Sequence, residues 1–253
     1  MRCGALIIGD EIINGKRQDK HFARVIATLK QRGMELTWCH YLGDDRARLT
    51  DFLRRSFASA DLVFSFGGIG ATPDDHTRQA AAAALGVELE LHPDAEREIR
   101  TRFGGETLPR QLSLGEFPRG AEIIPNPYNR MPGFALRCYP GEHYFLPGFP
   151  AMAWPMLEWV LDTHYLHLQH ATPKLEQALI VYDATEGVLI DFMETLTAQY
   201  PQARLFCLPT LIEEGKRRQL ELGMRGEPQQ VRAAMQAIRQ ELSARNYPFE
   251  EKL

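Results

Sequence analysis

The stretch FSFGGIGATPDDHTR, Phe64 to Arg78, combines two kinds of chemistry that oppose each other. Gly67, Gly68 and Gly70 follow an apolar run, and a glycine turn after a strand bares backbone N–H groups that favour an anion. Asp74 and Asp75 then bring two carboxylates, which repel an anion. A divalent cation resolves the conflict, because Mg²⁺ is held by one or two carboxylates together with phosphate oxygens. The composition of the stretch therefore points to a metal-assisted phosphate or pyrophosphate site. The ligand expected is a small phosphorylated molecule, with Mg²⁺ or another divalent cation as cofactor.

Two further turns repeat the pattern. Gly9, Asp10 and Glu11 open GDEIING, and Gly43, Asp44 and Asp45 form GDD. In a parallel sheet the ligand lies outside the carboxyl ends of the strands, so the three acidic turns face one cleft if their strands are neighbours. Candidate metal ligands are Asp10, Glu11, Asp44 and Asp75. Candidate ligand-binding residues are Gly9, Gly67, Gly68, Gly70, Thr72 and Thr77, with Lys20, Pro147 and Gly148. Catalytic roles fall to Asp75, Asp74 and Glu11, and either of the last two fits a water-positioning base. Taken singly, each turn also reads as a helix N-cap or a plain loop.

The elements that must carry these turns alternate in period. ALIIG (Ala5–Gly9), Glu35–Leu42 and DLVFSF (Asp61–Phe66) read as strands. Between them, helical spacing places Phe22, Val25, Ile26 and Leu29 on one face, stopped by Gly33, and Leu49, Phe52, Leu53 and Phe57 on another. A third helix is expected from Asp74 or Asp75 to Gly86, with its positive dipole end at the glycine turn. A helix at 93–104, a polar loop and a short strand in AEIIPNP follow. Strands near Phe134–Cys138 and His143–Leu146 make a hairpin around YPGE, and a helix starts after residue 150 with Pro155 in its first turn. The expected fold is α/β, a three-layer αβα domain with a mostly parallel sheet over residues 1–170. A small α+β domain of order β-α-β-β-α, its two later strands joined across EEGK, follows over 171–253.

Bulk properties narrow the function. The 253 residues are 44% hydrophobic and 25% charged, with a net charge of −4, and the pI is near 6.1, so no basic field marks a nucleic-acid surface. No apolar run reaches the length of a membrane helix, and ALII is too short for a signal core. Cys3, Cys39, Cys138 and Cys207 form no CxxC pair, which suits reduced thiols in a cytoplasm. Pro73 stands at the third Rossmann position, so GxGxxG is not met. GDEIINGKR has five residues between its glycines and Arg17 in place of Ser or Thr, so it is no P-loop; GxSxG is absent.

IIGDEIINGKRQDKHF, YLGDDRARL, ADLVFSFGGIGATPDDHTRQA, PGFAL and FLPGFPAMAWPM occur in the order expected of the MoaB/Mog-like molybdopterin-binding fold. The chain is most similar to the N-terminal part of CinA-type competence/damage-inducible proteins, and resembles the matching domain of eukaryotic FAD synthases. The resemblance covers about residues 4–165 and, more loosely, the small domain. It implies a molybdopterin-like or nucleotide-like ligand and, in the CinA-type branch, metal-dependent hydrolysis of ADP-ribose-like pyrophosphates. A homo-oligomer, dimer or trimer, is likewise implied by resemblance alone. In the Mog and gephyrin-like branch an Arg-Asp-x-Thr motif serves Mg²⁺-dependent adenylylation; Asp75 and Thr77 match it, but Asp74 stands where the arginine would be. Adenylylation and a non-catalytic sensor or scaffold remain alternatives. Where CinA-type proteins carry Asn-Thr-Asn, this chain has RQDKHF, so Lys20 and His21 either reach a ligand phosphate or start a helix in solvent. The C-terminal amidase domain of CinA-type proteins has no match here, so nicotinamide-nucleotide deamidation is not expected.

Three minor features lie outside these motifs. His164, His167 and His170 read as favourable cations at a helix end rather than zinc ligands. Arg100, Arg102 and Arg110 lie in a stretch read as a solvated loop or a closure over an acidic ligand. The run LPGFPAMAWPM, Leu146 to Met156, reads as pocket wall or as core packing.

Overall fold

A computed structural model describes residues 2–104, 107–137, 140–170, 174–210 and 217–252. Cys138, Tyr139 of the YPGE turn and the EEGK connection lie outside the described residues. The chain divides into two compact units, Met1–His170 and Ala171–Leu253.

The first unit begins with β1 (Cys3–Ile8), a short helix α1 (Asp10–Ile13) and α2 (His21–Gln31). Next come β2 (Leu36–Leu42), α3 (Arg46–Phe57), β3 (Leu62–Phe66) and α4 (Thr77–Leu85). They are followed by β4 (Leu89–Leu91), α5 (Pro93–Phe103), α6 (Pro109–Leu112), β5 (Glu116–Pro118) and β6 (Glu122–Ile124). The unit closes with β7 (Gly133–Leu136), β8 (Glu142–Leu146) and α7 (Pro150–His164). Six strands form one sheet in the order β2-β1-β3-β8-β7-β6. The pairs β1–β2, β1–β3 and β3–β8 are parallel, and β7 runs against both its neighbours. The mostly parallel α/β sheet expected from the alternating periods is therefore present, and β1, β2 and β3 are neighbours as the cleft requires.

Pleat alternation explains the three layers. On one face Ile7, Phe64 and Phe66 pack with Val25 and Leu29 of α2 and Met156, Leu157 and Val160 of α7. On the other, Leu6, Ile8 and Val63 pack with Leu49 and Leu53 of α3 and Ala80 and Ala81 of α4. β1 and β3 are buried from end to end because both faces are covered.

Several boundaries differ from the reading of periodicity. α4 starts at Thr77, not at Asp74 or Asp75, because residues 72–75 close a separate turn in which the Asp75 N–H donates to the Thr72 carbonyl at 3.0 Å. α2 buries His21, Val25, Thr28 and Leu29, while Phe22 and Ile26 are exposed, so its inward face lies one residue off the expected set. Pro155 sits in the second turn, since α7 begins at Pro150. The polar loop before residue 120 contains α6 and β5, and β5 pairs with β4 in a two-stranded sheet of its own.

The second unit contains β9 (Leu175–Tyr182), α8 (Glu186–Gln199), β10 (Ala203–Pro209), β11 (Gln219–Gly226) and α9 (Pro228–Ala244). A last strand β12 (Phe249–Glu251) completes an antiparallel sheet of order β10-β11-β9-β12. Leu179, Val181, Leu220 and Leu222 pack there against Val231, Met235 and Ile238 of α9. No helix among the described residues is long and apolar enough to cross a membrane.

Candidate functional site

The carboxyl ends of β1, β2, β3 and β8 deliver four turns to one sheet edge. Between them lies a cleft of about 410 Å³, lined by Gly9, Glu11, Asp44, Gly67, Gly68, Gly70, Thr72, Asp74, Asp75, Pro147 and Gly148 among others. The expected turns thus meet, and most of the candidate residues share one cavity.

The glycine turn is built by close approach. Gly68 has φ +69°, and a Cβ there would lie 2.1 Å from Thr77 Oγ1. That hydroxyl donates to the Gly67 carbonyl at 3.1 Å, and the Thr77 N–H donates to the Gly68 carbonyl at 3.0 Å. Thr77 is fully buried, so it closes the turn from beneath and does not line the cleft. The Gly67 N–H is taken by the Leu146 carbonyl at 3.0 Å. Beyond it, the N–H groups of Gly68, Ile69, Gly70 and Ala71 have no acceptor among the described residues. Four consecutive N–H groups without an internal acceptor are a backbone arrangement that suits an anion.

The carboxylates divide their work. Asp10 and Asp44 brace one another: the Asp10 N–H donates to Asp44 Oδ2 at 2.8 Å and the Asp44 N–H to Asp10 Oδ1 at 3.1 Å. Asp45 caps α3 by accepting the Arg48 N–H at 2.8 Å. Asp75 Oδ2 accepts the Thr72 N–H at 2.9 Å and the Thr72 hydroxyl. Burial pushes the Asp44 carboxyl above its ordinary range; the negative charges of Asp10, Glu11 and Asp74 add to that, while the bond from the Asp10 N–H opposes it. Asp10 does not line the cleft itself.

Position 21 starts α2, as one reading of the sequence held, but in the interior and not in solvent. His21 is buried, stacked on Phe66 with ring centroids 4.5 Å apart, and its Nε2 lies 3.0 Å from the Gly148 carbonyl. Burial lowers its pKa, and the ring supports the Gly148 loop from the interior. The helix start is capped by Asp19, whose carboxylate accepts the N–H groups of His21 and Phe22 at 2.7 and 3.0 Å. Lys20 is exposed and lines a second cavity of about 300 Å³, together with Ile12, Gln18, His21 and Phe66.

Six further residues contribute, of which only Phe149 and Met152 lay in a run read as possible pocket wall. Arg78 is buried under the turn, where its guanidinium donates to the carbonyls of Gly70, at 2.5 Å, and Ser113. Phe149 and Arg17 line both cavities. Asn129, Met131 and Met152 complete the far wall of the larger one. The TR pair after DDH was the only visible signal for Arg78, and a buried arginine is invisible to hydropathy.

A family model described as a probable molybdopterin binding domain matches residues 4–167. The chain belongs to this family. Curated relatives are CinA-like proteins. One from Anaeromyxobacter sp. (strain Fw109-5) is 39% identical over 148 residues, covering 57% of this chain and 36% of the relative. Another, from Desulfovibrio desulfuricans, is 37% identical over 160 residues, covering 62% and 38%. The chain therefore spans well under half the length of these relatives. Among solved structures, a CinA protein of unknown function from Thermoplasma acidophilum superposes with a TM-score of 0.59 at 25% identity, over 64% of this chain and 98% of that one.

Of the remaining candidates, Arg102 donates to the carbonyl of Asn129 in the cleft wall, and none of the others lines the cleft. His164 lies against Tyr144 with centroids 6.2 Å apart, and Arg100 pairs with Glu96. Among the described residues, no three His, Cys, Asp or Glu side chains are grouped so as to hold a metal ion by themselves.

Proposed function

We propose that the first unit binds a small molecule carrying a pyrophosphate and hydrolyses it with the help of a divalent cation. The observation that carries this reading is that Gly68–Ala71, whose N–H groups have no internal acceptor, line the same cleft as Glu11, Asp44, Asp74 and Asp75. Amides alone would suit any anion; carboxylates in the same cavity are tolerable only if a cation lies between the two.

The residues present fit such an ion. Their donors are oxygens, the set that suits Mg²⁺, and a cation would relieve the repulsion of Asp44 by Asp10, Glu11 and Asp74, which adds to the effect of burial on its carboxyl. One or two of Glu11, Asp44 and Asp75 would hold it, with phosphate oxygens and water completing its shell, since no three such side chains among the described residues are grouped to hold an ion by themselves. When bound, the cation would neutralise phosphate charge and acidify a water molecule. The glycine-turn amides would hold the phosphate oxygens, and Glu11 or Asp74 would orient the attacking water. An ADP-ribose-like pyrophosphate is the substrate class favoured by the CinA-type resemblance.

A second reading, binding without turnover, is favoured by one feature. Asp75 already accepts two hydrogen bonds from Thr72, so part of its capacity serves the turn. The test is incubation with ADP-ribose, FAD, NAD and molybdopterin under several divalent metals, with product analysis of the wild type and Asp75→Asn. Metal-dependent cleavage that disappears in Asp75→Asn, with unfolding little changed, supports hydrolysis at this site. Undiminished cleavage in that variant removes the site from consideration. A ligand-dependent rise in melting temperature with no product supports the second reading.

A further inference from the structure

We propose that Phe149 and Arg17 form a stacking clamp for a planar heteroaromatic ring attached to the pyrophosphate, making the cleft selective for nucleoside pyrophosphates. The inference rests on the phosphate-cleft reading above and adds what sits beside the phosphates.

Phe149 is 57% exposed, yet it stands in the wall shared by the two cavities. Its backbone is fixed: the Phe149 carbonyl accepts the N–H groups of Met152 and Ala153 at 3.0 and 2.9 Å, and Pro150 follows at the first position of α7. The preceding residue lies beside the glycine turn, since a Cβ on Gly148 would be in ordinary van der Waals contact, 3.4 Å, with the Gly67 Cα. An apolar ring is thus held beside that turn, where it adds nothing to either core cluster.

The Arg17 guanidinium lies over this ring, 5.9 Å from its centroid, and has no hydrogen-bond or ion-pair partner among the described residues. Direct stacking would bring the two to about 4 Å, and a ring slotted between them needs roughly 7 Å. The observed gap is intermediate, and the flexible arginine stem can supply the last ångström. A second phosphate in this place would use Arg17 but leave Phe149 without a role, and Glu11 in the same wall opposes more negative charge. A planar base uses both faces and adds no charge, as bases do on aromatic and guanidinium surfaces elsewhere.

The experiment titrates wild type, Phe149→Ala, Phe149→Trp and Arg17→Ala with ADP and with inorganic pyrophosphate, each with Mg²⁺, by calorimetry. Wild type should bind ADP at least tenfold more tightly than pyrophosphate. Phe149→Ala should lose about tenfold more affinity for ADP than for pyrophosphate, Arg17→Ala should lose less, and Phe149→Trp should retain the preference with its fluorescence quenched by ADP. Equal affinities of the wild type for the two probes, or equal losses in Phe149→Ala, overturn the clamp while leaving the phosphate cleft standing. A wild type that binds neither probe overturns both. If Phe149→Ala changes only the oligomeric state, the ring belongs to a protein interface and the clamp is overturned.

Discussion

Asp10 and Asp44, thirty-four positions apart, each accept the backbone N–H of the other, at 2.8 and 3.1 Å. This reciprocal pair locks the turn after β1 to the turn after β2 and sets two like charges side by side at the edge of the cleft. Replacing Asp44 by alanine leaves the Asp10 N–H without its acceptor. The expected cost is about 1 kcal/mol at this partly exposed site, read from urea unfolding. The same change should weaken Mg²⁺-dependent ligand binding, while Asp44→Asn should restore the stability and leave binding weak. Equal binding by Asp44→Asn and wild type would show that the carboxylate serves the turn alone.

Gly68 offers a sharper test, because backbone and space fail together. Alanine there must adopt φ +69° and place its Cβ 2.1 Å from Thr77 Oγ1, the hydroxyl that closes the turn. Gly68→Ala should destabilise by about 2–4 kcal/mol and abolish phosphate binding. Gly15 is the control, with φ +74° and open space around its missing Cβ. Gly15→Ala should cost only the backbone strain, about 1 kcal/mol. Thermal unfolding of the two variants side by side checks the difference.

Arg78 connects the glycine turn to residues 113–116 through its fork of donors. Burial lowers its pKa, yet from so high a starting point that the guanidinium remains charged. Arg78→Met should cost about 2–3 kcal/mol by leaving buried carbonyls unpaired. Arg78→Lys should recover little, since one ammonium cannot reproduce the guanidinium fork that reaches both Gly70 and Ser113. Chemical unfolding measures the stabilities, and a full recovery by lysine would mean that charge alone matters.

His143 predicts a pH dependence of folding. It is fully buried, bonded to the Ser56 hydroxyl at 2.7 Å, and burial lowers its pKa from 6.5 to about 4. Above pH 6.5 both folded and unfolded forms are neutral, so its contribution is complete. As pH falls from 6.5 towards 4, the unfolded chain takes a proton that the folded chain refuses, and stability is lost. The loss through this window should reach about 3 kcal/mol. Urea unfolding at pH 7.5 and 4.5 measures it, and His143→Gln should flatten the slope even if it lowers the plateau.

Much of the fold was legible because periodicity reports burial. Residues 62–66 read as a doubly covered strand, and all five are buried. Val25 and Leu29 marked the inward face of α2, although Phe22 and Ile26 on the expected stripe are exposed. What failed was local: a carboxylate before a helical run looks like a cap, but Asp75 turns back to Thr72 and the helix waits until Thr77. The side chain had two hydrogen-bonding options, and composition does not choose between them.

The same division runs through the site. The residue types alone determined its chemistry: glycines free to present amides, carboxylates suited to a hard cation, and strands whose carboxyl ends gather them on one edge. Only the tertiary structure decided which of those groups are free. It spent Thr77 on closing the turn, His21 on the Gly148 loop and Asp10 on bracing Asp44, and it left Gly68–Ala71, Arg17 and Phe149 lining the cleft. The physical reason is that a hydrogen bond, once satisfied inside the protein, is unavailable to a ligand. Partners tens of residues apart in sequence are set by the packing of β1, β2, β3 and β8, which no local pattern records.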